Sequence, residues 1–147
     1  MNMEIIGIDH IYLSVTDLGA SEAFYDKFMP RLGFRKNGFH IDSDPHIQYY
    51  NRHFGFTLRP AQRKGFRHDN LAPGLHHLCF RVESCADVDS AENILSDAGI
   101  PCSMPQFYPE YAPDYYAIYF SDPDGIRLEV TNFREERRKR YADWERA

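Results

Sequence analysis

Tyr115-Tyr116-Ala117-Ile118-Tyr119-Phe120-Ser121-Asp122-Pro123-Asp124-Gly125-Ile126-Arg127-Leu128-Glu129-Val130 reads as a strand, a tight turn and a second strand. Asp-Pro-Asp-Gly is turn chemistry: proline presets one central dihedral, and glycine accepts the positive φ that other residues resist. Beyond the turn, Ile126, Leu128 and Val130 alternate with Arg127, Glu129 and Thr131. A strand here turns an apolar row one way and a polar row the other. Glu129 falls mid-strand on the polar row. A carboxylate there is either a solvated residue or a group aimed into a site, and periodicity does not separate the two.

The start of the chain has the same grammar. From Ile8 to Val15, Ile11, Leu13 and Val15 form one row and His10, Tyr12 and Ser14 the other. The spacing of Ala20, Phe24 and Phe28 predicts a helix from Asp17 or Ser21 to about Met29, stopped by Pro30 and Gly33. Short strands are expected over 33–37, 46–51 and 55–59, with turns at Asp42-Ser43-Asp44-Pro45 and His53-Phe54-Gly55. After the aperiodic stretch 63–74, which reads as a linker, His77-Leu78-Cys79-Phe80-Arg81-Val82 repeats the first strand, again with a histidine at its head. Ser84 and Asp87 offer a capping box, and Val88, Ala91, Leu95 and Ala98 a helical stripe that Gly99 closes.

Strand, helix, strands therefore recurs, which predicts an α+β fold of two βαβββ modules forming paired curled mixed sheets around a cleft. One domain over 1–147 is expected, with module one about 4–62, module two about 74–132, and a C-terminal helical tail over 133–147 whose mixed charges read as a solvated face. Superposing His10 on His77, and Gly55 on Gly125, sets Arg59 against Glu129.

Composition narrows the function classes. With 147 residues, 43% hydrophobic and 27% charged, the chain is a folded domain rather than a disordered one. A net charge of -5 argues against a nucleic-acid surface. No apolar run approaches the roughly 18 residues that span a bilayer, so no membrane partner is expected. Three cysteines without a CxxC pair, and no signal-like N-terminal stretch, point to the cytoplasm.

The residues that carry chemistry are His10, His77 and Glu129. Two imidazoles and a carboxylate can occupy one face of Fe, Mn, Co, Ni or Zn and leave positions open to substrate. Singly, such residues are most often structural; the weight lies in two histidines at equivalent places in two modules. Tyr12, Gln48, Tyr50 and Arg59 fall on polar rows as substrate-binding candidates, with Arg59 suited to an anion. Arg81 and Arg127 share that parity. Residues 105–116 make an aromatic, proline-punctuated loop, either a lid over the cleft or a loop packed on its own rings, and Tyr116 joins the substrate-binding candidates from there. Tyr12, Tyr50 and Tyr116 are candidates for handling protons.

From about Gly7 to Thr131 the chain resembles the vicinal oxygen chelate superfamily, which includes glyoxalase I, bleomycin-resistance proteins, extradiol dioxygenases and fosfomycin-resistance thiol transferases. The resemblance rests on Asp9-His10-Ile11-Tyr12-Leu13-Ser14-Val15-Thr16-Asp17-Leu18, on Phe24-Tyr25 running into Leu32-Gly33-Phe34, on Gly74-Leu75-His76-His77-Leu78-Cys79-Phe80-Arg81-Val82, and on Tyr119 to Glu129. It implies a divalent metal on His10, His77 and Glu129, with His76 the less favoured neighbour. It also implies a small oxygen-bearing substrate, a homodimer, and lyase, dioxygenase or thiol-transferase chemistry. Glyoxalase I would add a carboxylate at the end of module one, where this chain reads Arg59, so the three-ligand dioxygenases and thiol transferases are the nearer match. The alternative is a metal-free small-molecule binding protein of the antibiotic-sequestering kind.

Overall fold

The structure is a computed structural model describing residues 3–146. The chain divides into two compact units, Met1–Arg67 and His68–Ala147. The division falls inside the stretch expected to be a linker.

In the first unit, β1 (His10–Val15) leads into α1 (Leu18–Asp26), a single 3-10 turn over Pro30–Leu32, and then β2 (Arg35–Ile41), β3 (Asp44–Tyr50) and β4 (Gly55–Pro60). The helix starts where Asp17 accepts a hydrogen bond from the Ala20 amide at 3.0 Å. The 3-10 turn ends at Gly33, whose φ of 87° a side chain would resist. The sheet order is β1-β4-β3-β2, with β1 parallel to β4 and the other pairs antiparallel. Alternation then divides the sheet. Leu13, Val15, Tyr49, Phe56 and Leu58 are buried, and Tyr25 of α1 packs its ring against those of Tyr49 and Phe56. The opposite face carries His10, Tyr12, Gln48, Thr57 and Arg59. The β2–β3 hairpin is longer than expected. Its strands continue to Ile41 and resume at Asp44, because Asp42 takes a φ of 53° and lets a two-residue turn close them.

The second unit repeats this order. β5 (Leu78–Val82), α2 (Cys85–Asp97), β6 (Gln106–Phe107), β7 (Tyr116–Ser121) and β8 (Arg127–Asn132) form a sheet ordered β5-β8-β7-β6, with β5 parallel to β8. A C-terminal helix, α3 (Glu135–Asp143), follows and has no buried residue; the expected end of the tail at Ala147 lies outside the described residues. The capping box forms reciprocally: Ser84 Oγ accepts from the Asp87 amide at 3.2 Å, and Asp87 Oδ2 accepts from the Ser84 amide at 2.9 Å. Val88, Ala91 and Leu95 of α2 are buried, as are Ile118, Phe120, Leu128 and Val130 of the sheet. In the turn, Asp122 Oδ1 accepts from the amides of Asp124 and Ile126, both at 2.9 Å, and Gly125 has a φ of 81°. These contacts aim β8 back along β7 with Glu129 directly opposite Tyr119.

The repeat also corrects the expected equivalence of Arg59 and Glu129. Tyr12 pairs with Thr57 in the first sheet and Cys79 with Glu129 in the second. With His10 matched to His77, Thr57 is therefore the counterpart of Glu129. The glycine superposition overshoots by two residues because β4 begins at Gly55 itself, whereas β8 begins at Arg127. No described helix is long and apolar enough to cross a membrane.

Replacing Ser84 by Ala removes one half of the capping box. Urea denaturation at neutral pH is expected to show a loss of about 1 kcal/mol, and an unchanged midpoint would show that the cap does not hold α2.

Candidate metal centre

Glu129 is 1% exposed on a row that alternation left open between solvent and site. A buried carboxylate requires partners, because removing the charge from water costs several kcal/mol. Tyr115 supplies one, its hydroxyl donating to Glu129 Oε1 in a short hydrogen bond. The other oxygen differs. Oε2 lies 3.1 Å from His77 Nε2, within ion-pair range, yet it is buried without an aligned hydrogen bond. The second ring nitrogen of His77, Nδ1, sits 2.8 Å from Nδ1 of His76, so one proton serves both. With that proton on His77, Nε2 turns a lone pair towards the open lone pairs of Oε2.

Two such donors ask for a cation between them. Bonds of about 2.1 Å to an imidazole nitrogen and a carboxylate oxygen at right angles set those atoms about 3.0 Å apart, close to the separation here. His77 and Glu129 therefore fit as neighbouring ligands of a divalent ion. Among the described residues no group of three or more His, Cys, Asp or Glu side chains converges as a ligand set. His10 stands at the head of β1 in the first unit, with Nδ1 2.7 Å from Asp9 Oδ2. That pairing engages Nδ1 and leaves Nε2 as the nitrogen that would bind a metal, in the manner of imidazoles oriented by a carboxylate.

The remaining candidates fall on two faces. By register Tyr12, Gln48, Tyr50 and Arg59 share His10's face of the first sheet. Gly55 is what lets this row close up, since a Cβ there would meet Gln48 Nε2 at 3.0 Å and His10 Cβ at 3.5 Å. Arg59 already has a counter-charge, with Nη2 2.7 Å from Asp44 Oδ2. Tyr116 is turned to the helix side of the second sheet, where its hydroxyl donates to Asp89 Oδ1 of α2 at 2.8 Å.

Sequence reasoning missed three neighbours of Glu129: Tyr115, Tyr119 and Cys79. Counting outward from the Asp122 turn pairs Tyr119 with Glu129, and matching the repeat pairs Cys79 with it, so both signals were available. The aromatic loop packs on its own rings, with Tyr108 against Tyr111, Tyr115 and Tyr119, and it thereby delivers the Tyr115 hydroxyl. Burial pushes the Tyr115 phenol above its ordinary range, and the hydrogen bond to Glu129 adds to the shift. Burial and then the Glu129 charge do the same to Tyr119 and to the part-buried sulfur of Cys79, a residue that is exposed overall. All three are thus protonated near neutrality: the two phenols can donate hydrogen bonds, and Cys79 is a thiol rather than a thiolate nucleophile.

A pair of metal-donor side chains on one of two like βαβββ units places the chain in a class of paired-module folds. The chain belongs to the Glyoxalase/Bleomycin resistance protein/Dioxygenase superfamily, whose family model matches residues 7–130. It is 27% identical over 129 residues to the metallothiol transferase FosB of Bacillus licheniformis, covering 88% of this chain and 77% of that protein. A crystal structure of a glyoxylase/bleomycin resistance protein/dioxygenase domain from Frankia sp. EAN1pec matches with a TM-score of 0.74 and 28% identity, covering 89% of this chain and all of that one. The fold also matches a mutant of the fosfomycin resistance protein FosX from Listeria monocytogenes, complexed with Mn(II) and 1S,2S-dihydroxypropylphosphonic acid. That match has a TM-score of 0.64 and 17% identity, over 92% of this chain and 98% of that one.

Tyr115→Phe keeps the ring and deletes the donor to Glu129. Unfolding free energy is expected to fall by about 2 kcal/mol, against less than about 1 kcal/mol for Tyr116→Phe. Because the folded Tyr115 phenol titrates above its unfolded value, this stabilisation is complete below about pH 10 and is lost as the pH rises further. Equal losses in the two variants would place the structural weight elsewhere.

Proposed function

We propose that this chain is a divalent-metal-dependent enzyme acting on a small substrate through adjacent oxygen atoms, with His77, Glu129 and His10 as the metal ligands. The observation that carries the reading is the buried Glu129 Oε2, without a hydrogen bond, 3.1 Å from His77 Nε2. Among lyase, dioxygenase and thiol-transferase chemistries, thiol transfer is favoured, because the relative aligned with 88% of the chain is a metallothiol transferase. A FosX mutant from Listeria monocytogenes that shares the fold is complexed with Mn(II).

When bound, the ion would supply Lewis acidity at a substrate oxygen. The chain's own groups have separate tasks. Tyr115 occupies Oε1, so that Glu129 offers a single oxygen, and His76 fixes the proton on the far side of His77. Tyr119 keeps its proton and donates a hydrogen bond to a substrate oxygen beside Glu129. Cys79 remains a thiol, which leaves the sulfur nucleophile to a thiol co-substrate. The chain works as a homodimer, and His10 reaches the other two ligands either from its own chain or from a second copy.

Calorimetric titration of metal-stripped protein with Mn, Fe, Co, Ni and Zn is expected to show one ion per chain. Affinity should fall at least about 100-fold in His77→Ala, in Glu129→Ala and in His10→Ala. If none of the five ions binds, the metal reading fails and the metal-free binding protein replaces it.

Mixing His10→Ala chains with Glu129→Ala chains tests where the ligands come from. If they are shared between copies, random re-pairing restores about a quarter of the sites; if they lie within one chain, it restores none.

A further inference from the structure

Five arginines gather around Phe133 and α3 in a chain whose net charge is -5. Two are matched. Arg138 Nη1 lies 2.6 Å from Glu83 Oε1, and Arg140 Nη2 lies 2.8 Å from Glu136 Oε1. Neither Arg81, Arg134 nor Arg137 has a carboxylate at ion-pair distance among the described residues. The first two are nonetheless held in place. The Arg81 guanidinium stands 4.1 Å from the Phe133 ring centroid, a ring it shares with Arg138, and that of Arg134 stands 4.6 Å from the Tyr115 ring centroid.

Arg134 adds an independent sign of a missing acceptor: its Nε is buried and has no hydrogen-bond partner. A guanidinium N–H shielded from water in this way is costly unless an oxygen meets it. Arg81 lies on β5 two residues beyond Cys79, on the same face, so it borders the row that holds Glu129. Arg137 lies in the first turn of α3, three residues after Arg134, the residue that precedes the helix as its N-cap. Partial burial, and then repulsion from Arg140, Arg81 and Arg134, holds the Arg137 guanidinium below its ordinary range.

We propose that Arg81, Arg134 and Arg137 form an oxyanion site that takes a carboxylate, phosphonate or phosphate group. Planar guanidinium forks match such groups two oxygens at a time, and three of them without an ion-paired carboxylate form a local positive field in an acidic chain. Arg134 covers the ring of Tyr115, and the hydroxyl of that tyrosine holds Glu129. The anion site is thus one side chain away from the candidate metal ligand. Its anion is the acid end of a substrate whose other end meets Glu129 and His77. Only that last assignment rests on the proposed function; anion binding itself does not.

The test is a chemical-shift titration of metal-stripped protein at low ionic strength with inorganic phosphate, methylphosphonate and acetate. Saturable binding with a Kd of about 1–10 mM is expected for at least one of them. Arg81→Gln and Arg137→Gln should each weaken it about tenfold, whereas Arg140→Gln, whose charge Glu136 already matches, should change it less than about twofold. Methylphosphonate or acetate binding at least as tightly as phosphate assigns the site to an acid group carried on carbon; tighter phosphate assigns it to the free ion. No saturable binding of any of the three, or equal weakening by Arg140→Gln, overturns the proposal. Arg81→Gln and Arg137→Gln alter exposed side chains, so they decide the matter even if Arg134→Gln does not fold. Metal uptake by these two variants should match the wild type, which separates a failure here from a failure of the metal reading.

Discussion

A carboxylate that has lost contact with water must be held, and the second unit is arranged around holding one. Glu129 reaches its buried place only if the Asp122 turn returns β8 along β7 and the parallel pairing with β5 sets Cys79 beside it. The aromatic loop must then pack so that Tyr115 arrives at Oε1. Each of these elements is anchored locally, by the Asp122 carboxylate, by the capping box that starts α2, and by tyrosine rings in mutual contact. What they leave is one oxygen, Oε2, with His77 close by. Desolvation makes that oxygen an unstable arrangement on its own and a strong ligand when a cation is present.

The two units show how a repeated frame takes on different chemistry. Strand order and crossover are the same in both, yet the position that holds Glu129 in the second sheet holds buried Thr57 in the first. Cys79 is likewise replaced by Tyr12 at the matching register. The first unit therefore offers His10 without a carboxylate partner across the strand. The second offers both an imidazole and a carboxylate, and it adds the arginines of β5 and α3. The repeat supplies the scaffold, and the asymmetry of a few side chains on one face supplies the difference.

Signals that act within four residues were legible in the sequence. The Asp17 cap, the Ser84–Asp87 box, the Asp122 turn and the alternating rows of β1, β5 and β8 all depend on neighbours along the chain. Register across strands was legible only in part. Gly55 and Gly125 look equivalent as turn residues, but one opens a strand and the other precedes it by two positions, which is why Arg59 was matched where Thr57 belongs. The choice of Tyr116 over Tyr115 has the same origin. Parity in that loop depends on where β7 enters the sheet, and only the cross-strand partner of Glu129 defines it. Whether Glu129 faced solvent or a site was beyond periodicity altogether, because burial follows from packing of the tyrosine loop, a contact made by residues far from it in sequence.

The proposed centre makes Glu129 Oε2 and His77 Nε2 two ligands of one divalent ion. Crystals grown with Mn(II) and measured for anomalous scattering test it most directly. A single strong peak per chain is expected within about 2.2 Å of both atoms, with the Tyr115 hydroxyl still on Oε1. A peak elsewhere, or none with His77 and Glu129 ordered as they are here, would contradict it.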